Sequence, residues 1–196
     1  VPHAVANGQV IDALVSHVDV LPTLCDLLKL EKPDYLEGTS FAEVFDDVSA
    51  EPISEIFAEV NFHTSYEPIR CVRTRRYKYI RYYDESWTKL NLSNMDSSLS
   101  KDFYMRHDLA QQQKPMEALY DCYYDPDERQ NLVQDLRYQK ILEEMRKKLR
   151  EFQLRTHDPI LDGELEMKPT YKVNKKECIN ASSKEPQDYD PRGRWQ

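Results

Sequence analysis

The sequence lacks a long hydrophobic run, a close cysteine pair and an excess of positive charge. No apolar stretch approaches the roughly 18 residues that a membrane span needs. The formal net charge is -8, whereas a nucleic-acid binder normally presents a dominant basic surface. We therefore expect neither a membrane-spanning protein nor a nucleic-acid partner. The cysteines are widely spaced without a C-x-x-C pair, so they carry no zinc or redox signature and are expected to be buried free thiols: Cys25, Cys71, Cys122 and Cys178.

The N-terminus carries no targeting information. The sequence begins with Val1, without an initiator methionine, and no basic-then-apolar signal segment follows it. The cellular location is therefore unknown from the sequence: lysosomal or secreted in an animal, cytoplasmic or periplasmic in a bacterium.

The composition is polar for a globule that buries its own core. Hydrophobic residues make up 40% of the chain, and the mean hydropathy is -0.78. Aromatic residues nevertheless reach 11%, which favours ordered structure over disorder. We expect a folded chain whose core is partly completed by another polypeptide.

The stretch 118–156 has the pattern of a scaffold. Residues 119–124 are rich in aromatics that suit a strand, and residues 125–128 predict a type I turn because Pro126 presets φ. Asp135 is placed to cap a helix. Apolar side chains then recur every three or four positions, which predicts one long amphipathic helix without a reactive group: Tyr138, Leu142, Met145, Leu149 and Phe152.

The segment from Ile53 to Phe62 alternates with period two, which predicts a half-buried strand. Its apolar face is expected to hold Ile56, Ala58, Val60 and Phe62. Glu59 and His63 are four residues apart, so they share the polar face if the strand continues. They are the first candidates for a binding site.

Residues 69–83 form a second strand candidate in which bases alternate with aromatics. In an acidic protein such a cluster points to an anionic ligand, because arginine forks match sulfate or carboxylate oxygens. The alternative is that these bases pair with surplus acids across the sheet. Arg70 is the strongest candidate because it follows the Glu59–His63 stretch. The cluster comprises Arg70, Arg73, Arg75, Arg76, Lys78 and Arg81.

Near the N-terminus, the apolar run 13–18 has strand character, and Asp19 is placed to cap a helix. The helix is expected to bury a face made of Leu21, Leu24, Cys25 and Leu28. His17 and Asp19 could be taken for a catalytic pair, but local hydrogen bonding and capping is the favoured interpretation. The long connection 84–115 is expected to be structured or functional, and the proline-containing tail 159–196 to be irregular.

Several stretches together resemble the sulfatase family. Residues 13–24 look like the last strand and helix of the sulfatase large domain, and residues 72–80 and 119–132 look like the strands and turn of its C-terminal subdomain. Further positions are similar to the heparan N-sulfatase (N-sulfoglucosamine sulfohydrolase, sulfamidase) branch: Glu59, Val60, His63, Tyr66, Pro68, Arg70 and residues 102–104 and 156–159. The resemblance covers about Gly8 to Pro159.

The resemblance implies an α+β fold, the C-terminal fragment of an alkaline-phosphatase-like sulfatase fold. Residues 1–50 would be a remnant of the large domain, a strand and a helix, with a connecting loop. Residues 51–158 would form a small antiparallel sheet packed by one long helix, and residues 159–196 an irregular tail.

The resemblance also implies where the chemistry lies. Sulfatases use a formylglycine made within a Cys/Ser-x-Pro-x-Arg motif, together with Ca²⁺ held by early Asp-Asp and later Asp-Asn pairs. No cysteine or serine here has that motif. We therefore expect no catalytic residue and no metal ligand in this chain, which should be inactive alone. Both cofactors are expected in the full-length enzyme, on an N-terminal large domain that is the expected partner.

Within the chain, the resemblance implies a wall of the substrate pocket. Glu59, His63 and Arg70 are the expected contacts to a sulfated glucosamine, with hydrogen bonding on the sheet surface as the alternative. An O-sulfatase or phosphonate-monoester hydrolase of the same fold, or a non-enzymatic module that binds sulfated glycans through the basic strand, remain open as functions. A homo-oligomer is also left open.

Overall fold

The computed structural model describes residues 10–168, 170–181, 183 and 185–192. The first nine residues of the predicted large-domain remnant and seven positions of the predicted tail, 169, 182, 184 and 193–196, lie outside the described residues. The chain forms two compact units. The first consists of Val1–Phe57, Val72–Lys78 and Tyr120–Gln130, and the second of Ala58–Cys71, Tyr79–Leu119 and Asn131–Gln196.

Four strands form one antiparallel sheet whose order follows the chain. They are β1 (Glu55–Phe62), β2 (Tyr66–Thr74), β3 (Tyr77–Tyr82) and β4 (Glu117–Asp121). The helices are α1 (Val20–Leu28), α2 (Leu99–Met105) and α3 (Gln139–Arg155). This architecture confirms the α+β class and the small sheet with one long helix.

The basic segment 69–83 is divided into two strands, so its prediction as one strand was wrong. The chain reverses at Arg75 and Arg76 because the Thr74 side chain closes a tight turn. The Tyr77 amide donates to the Thr74 hydroxyl at 3.0 Å, and that hydroxyl lies 3.3 Å from the Tyr77 carbonyl. The sequence contains no glycine or proline at this reversal, which explains why the turn was missed.

Helix α3 confirms the predicted amphipathic pattern. Asp135 caps the short 3-10 turn that leads into it, since its side chain accepts from the Arg137 amide at 3.0 Å. The apolar stripe supplies three residues that are at most 2% exposed: Leu142, Met145 and Leu149.

Strand β4 is shorter than predicted, because the chain turns after Asp121. The Asp121 carboxylate accepts from the amides of Tyr123 at 3.2 Å and Tyr124 at 3.4 Å, which ends the extended run. The turn predicted after it is present, with the Glu128 amide bonded to the Asp125 carbonyl at 3.0 Å.

The strand predicted at 13–18 is not formed. Residues 10–16 have no regular secondary structure, and His17–Asp19 is a 3-10 turn that leads into α1. Asp19 precedes the helix as predicted, but its carboxylate accepts from the amides of Ser16 and Thr39, both at 2.8 Å, and from no amide of α1. A strand needs a hydrogen-bonded neighbour, and the described sheet offers none to this segment.

The loop 38–41, whose Thr39 amide donates to the Asp19 carboxylate, packs closely against the N-terminus of α1. A Cβ at Gly38 would lie 2.0 Å from the Val18 carbonyl oxygen, so only glycine fits there. The Thr23 hydroxyl donates to the Asp19 carbonyl at 2.6 Å and accepts from the Phe41 amide at 3.0 Å. These bonds fold the 38–41 loop over the start of the helix.

The apolar face predicted for α1 is buried only at Cys25, which is 6% exposed. Leu21, Leu24 and Leu28 are 44%, 47% and 64% exposed, so that prediction was wrong for the leucines of the stripe. The face has the spacing of a buried one, but none of the described residues of its unit covers it. β1 behaves similarly at Ala58 and Val60, which are exposed on this edge strand.

The connection 84–115 is structured, one of the two outcomes expected for it. It contains α2 and two 3-10 turns. Lys101 of α2 is 8% exposed and donates to three carbonyls, of Leu92 at 2.7 Å, Met95 at 2.8 Å and Ile179 at 2.6 Å. The last of these bonds joins the connection to the tail.

Candidate functional site

Arg70 lies on β2 and is 1% exposed. Its Nε and Nη2 donate to the two carboxylate oxygens of Asp158 at 2.7 and 2.8 Å, the bidentate geometry in which arginine binds a carboxylate most strongly. Its Nη1 donates to the carbonyls of Val60 at 3.2 Å and Ile69 at 2.9 Å. The guanidinium is therefore saturated largely by its own unit, and these contacts favour the sheet-bonding alternative for Arg70.

Asp158 is the counterion that sequence reasoning did not pair with Arg70. Its carboxylate also accepts from the side-chain amide of Gln153 at 2.9 Å and from the Ile160 amide at 3.2 Å. Burial acts to raise the pKa of Asp158, but hydrogen bonds from Arg70, then Gln153, outweigh it and hold the pKa below its ordinary value. Asp158 is therefore ionised at neutral pH.

Glu59 lies on β1 beside this buried pair and opens to solvent. Its Oε2 is 3.4 Å from the Arg70 Nε, and its side chain is 57% exposed. One guanidinium thus faces two carboxylates, of which Asp158 takes the short bonds. Glu59 therefore lies close to the Arg70 guanidinium while its carboxylate remains accessible to a ligand.

His63 follows the end of β1, and it is exposed. Its backbone amide donates to the Ser65 carbonyl at 3.3 Å, and the neighbouring Thr64 hydroxyl bonds to Asn94 Oδ1 at 2.7 Å. These bonds shape the tip between β1 and β2. The structure brings Glu59 and Arg70 together, whereas the His63 imidazole makes no hydrogen bond or ion pair with either of them in the described chain.

A second buried pair on β2 gave no sequence signal. Glu67 accepts from Lys114 at 2.7 Å and from the Asn94 side chain at 2.6 Å. Lys114 is 6% exposed and Glu67 9%. A burial of this kind depends on contacts far apart in the chain, so residue spacing cannot reveal it.

The other bases of the cluster mostly pair with acids. Arg76 forms a fork with Asp121 at 2.7 and 3.0 Å, and Lys78 lies 2.8 Å from the Glu128 carboxylate. Arg75 bonds to Asp12 at 3.0 Å and also pairs with Glu51. These contacts favour charge pairing over a continuous anion-binding stripe.

The described residues do not fit the cofactors that the resemblance implies. No group of three or more His, Cys, Asp or Glu side chains there could hold a metal ion. The pKa values of the Cys122 and Cys178 thiols are raised, chiefly by burial, so neither is a ready nucleophile. Within the described chain, no helix has both the length and the apolar character of a membrane span.

Sequence comparison links the chain to known sulfatases. Residues 1–118 match the family described as N-sulphoglucosamine sulphohydrolase, C-terminal. Human N-sulphoglucosamine sulphohydrolase is 30% identical, with 82% of this chain and 37% of that protein covered. An ulvan-active sulfatase from Formosa agariphila is 26% identical over 74% of this chain and 30% of its own length. A delta 4,5-hexuronate-2-O-sulfatase from Bacteroides thetaiotaomicron is 31% identical over 72% of this chain and 24% of its own length.

Solved structures agree with the sequence comparison. A 2-O GAG sulfatase superposes with a TM-score of 0.56 at 28% identity, covering 79% of this chain and 28% of that one. A protein solved with its substrate D-glucosamine-2-N,6-O-disulfate has a TM-score of 0.60 at 20% identity, covering 84% and 29%, which shows a shared fold. This chain spans between 24% and 37% of the length of the curated relatives it matches. The chain belongs to the N-sulphoglucosamine sulphohydrolase C-terminal family of the sulfatases.

Proposed function

We propose that this chain is the C-terminal portion of a sulfatase that releases sulfate from sulfated sugars, with the N-sulfoglucosamine of heparan-type glycans as substrate. The family match over residues 1–118 carries the proposal, because that stretch contains Glu59, His63 and Arg70. The human relative, named as an N-sulphoglucosamine sulphohydrolase, supports the same substrate class.

The chemistry belongs to a large domain that precedes this segment in the complete enzyme. That domain would supply the formylglycine nucleophile and the Ca²⁺, which would neutralise sulfuryl oxygens. The described residues of this chain offer no metal-binding group, and its sequence contains no Cys/Ser-x-Pro-x-Arg motif. The exposed leucines of α1 support such a partner, because an apolar helix stripe is usually covered. This chain contributes binding and orientation.

Of the three proposed residues, Glu59 and His63 contact the sugar, and Arg70 positions Glu59. The exposed Glu59 carboxylate accepts hydrogen bonds from sugar hydroxyls, and the exposed His63 imidazole offers a ring nitrogen to the same ligand. Arg70 lies beneath Glu59, 3.4 Å away, and acts on the ligand through it. The bidentate bond to Asp158 fixes the position of the Arg70 guanidinium.

Glu59→Gln in the complete enzyme tests the first contact. Loss of a charge-assisted hydrogen bond raises KM roughly tenfold, and kcat changes less because Glu59 touches no reacting atom. His63→Ala is expected to raise KM in the same direction. Glu144→Gln, on the exposed part of α3, is the matched control and should leave both constants unchanged.

Unchanged KM and kcat in both Glu59→Gln and His63→Ala would remove these residues from the substrate pocket. The choice of substrate needs a separate comparison, because a 2-O-sulfatase is also a relative at 31% identity. The complete enzyme is given a sulfamated and an O-sulfated glucosamine. Faster release from the sulfamate supports the N-sulfatase, and faster release from the O-sulfate supports an O-sulfatase of the same fold.

A further inference from the structure

A cavity of about 260 Å³ lies within the second unit, between β3, α3 and the 3-10 turn Pro159–Asp162. Three arginines approach it, one from the strand and two from the helix: Arg81, Arg146 and Arg150. Tyr79, Tyr83 and Gln153 add polar groups to its lining. In a chain with a net charge of -8, this concentration of cations needs a physical reason.

Arg146 has its counterion inside the protein. Its Nε donates to Glu117 at 3.1 Å, its Nη2 bonds to the other oxygen of the same carboxylate, and the Tyr79 hydroxyl donates to Glu117 as well. Burial acts to raise the pKa of Glu117, but the hydrogen bonds from Arg146 and Tyr79 lower it overall. Glu117 is therefore ionised. Its carboxylate is hydrogen-bonded to Arg146 and Tyr79, and the Arg81 charge also acts to lower its pKa.

Arg81 and Arg150 have no hydrogen-bonded counterion among the described residues. Both are exposed, and neither makes a hydrogen bond or ion pair with any described residue. The Arg81 guanidinium lies 5.0 Å from the Tyr83 ring centroid, a cation–π contact that limits its motion while its N–H groups stay free. The Tyr83 hydroxyl is itself committed to Gln153 at 3.1 Å.

Several neighbouring bases of the segment are paired with acids, whereas Arg73 is not: its buried Nε has no hydrogen-bond partner among the described residues. Arg75, Arg76 and Lys78 on the same basic segment each face a carboxylate within 3.0 Å. Arg81 is thus a base of the segment without a hydrogen-bonded carboxylate among the described residues, although its charge helps to lower the pKa of Glu117. It shares a cavity with Arg150 of α3, which likewise makes no hydrogen bond or ion pair there.

We propose that this cavity is a binding site for a tetrahedral oxyanion, held between Arg81 and Arg150. Planar guanidinium forks match sulfate and phosphate oxygens, and the cavity of about 260 Å³ has room for such a group. The natural source is a sulfate group of the glycan chain, which rests on the proposed function. Free inorganic sulfate shares the same chemistry.

Arginine footprinting of the complete enzyme with phenylglyoxal, read by peptide mass spectrometry, tests the site directly. The probes are inorganic sulfate and an N-sulfated heparin tetrasaccharide. We expect either probe to slow modification of Arg81 and Arg150 at least fivefold. The controls are Arg129 and Arg137, exposed arginines whose side chains are 81% and 80% accessible, and their rates should stay within twofold.

Two variants show whether the arginines act as one site. In Arg81→Gln, the sulfate concentration that half-protects Arg150 should rise roughly tenfold, because one charge-assisted anchor is lost. Lys147→Gln removes the same charge from the exposed part of α3 and should leave that concentration unchanged. An equal rise in both variants would mean general charge screening and would overturn the proposal.

Protection by both probes supports an oxyanion site open to either source, and protection by the tetrasaccharide alone supports the glycan as its source. No protection by either probe overturns the site. The readout needs no turnover, so it is independent of the kinetic test of Glu59 and His63. Sulfate could protect Arg81 and Arg150 even if the Glu59 and His63 variants leave KM unchanged. Those variants could also raise KM without any protection of the two arginines.

Discussion

The pair formed by Arg70 and Asp158 joins positions 88 residues apart, and it is the most deeply buried ion pair around the candidate site. The two side chains are 1% and 4% exposed. Bringing two charges out of water is expensive, so the pair stabilises the fold only because every strong donor of Arg70 finds an acceptor. Removing one partner leaves a buried charge without its counterion.

Asp158→Asn should therefore lower the free energy of unfolding by about 3 kcal/mol. Urea unfolding of the chain measures the loss. Asp162→Asn, an exposed carboxylate four positions on, is the control and should stay within about 0.5 kcal/mol of the parent chain. A loss no larger than that of the control would show that the pair adds nothing to stability.

The same carboxylate predicts a pH dependence. Its pKa is lower in the folded chain than the ordinary value of 3.8, so its contribution is complete above about pH 4 and is lost as pH falls through the folded-state pKa. We expect the free energy of unfolding of Asp158→Asn to depend less on pH in that acid range than that of the parent chain. Identical profiles for the parent and the variant below pH 4 would contradict this assignment.

Lys101 gives a second residue-scale prediction, since its ammonium replaces water with three carbonyls. Lys101→Met keeps the aliphatic stem but leaves those acceptors without their donor, at a cost of about 2 kcal/mol. A lower Tm in a thermal melt measures it. Lys147→Met, at a 74% exposed side chain, should leave Tm nearly unchanged, and equal melts for the two variants would contradict the role of Lys101.

Residue types along the sequence identified candidate charged side chains but did not predict which of them form ion pairs. The basic segment was recognisable from its spacing, and Glu59 and His63 from their shared face. Asp158 lay in a stretch recognised by resemblance, yet its bond to Arg70 depends on how α3 returns towards β2. Contacts of that kind arise from packing, which local patterns do not encode.

At the scale of elements, α3 contributes apolar residues to the core of the second unit. Leu149→Ala, at a residue 2% exposed, should cost about 3 kcal/mol because it removes buried methyl groups and leaves a cavity. Leu154→Ala, on the same helix but 54% exposed, is the matched control. Chemical unfolding of both variants compares them, and similar losses would mean that the stripe does not face the core.

The type of an element with strong periodicity was predictable, whereas features that depend on neighbours, among them the burial of the α1 leucines, were not. The pattern of α3 specified both its type and its buried face. The run 13–18 has strand composition but no strand beside it in the described chain, and the reversal at Arg75 is closed by the Thr74 side chain instead of a glycine or proline. Both errors arise because local composition does not report hydrogen-bond partners.

At the scale of the whole molecule, the exposed face of α1 bears on the proposed partner domain. Leu24 is 47% exposed, so Leu24→Glu should change the stability of this chain alone by no more than about 0.5 kcal/mol. In the complete enzyme the same change would bury a charge, so it should lower the free energy of unfolding several-fold more than in the chain alone. Parallel unfolding measurements compare the two, and an equally small effect in both would argue against a domain that covers α1.

The most direct test of the account is sulfate release by the purified 196-residue chain. Given a sulfamated glucosamine, the chain alone should release no sulfate above the blank, while the complete enzyme turns it over under the same conditions. That result would assign the chemistry to the preceding domain and binding to this one. Sustained sulfate release by the isolated chain would contradict the account.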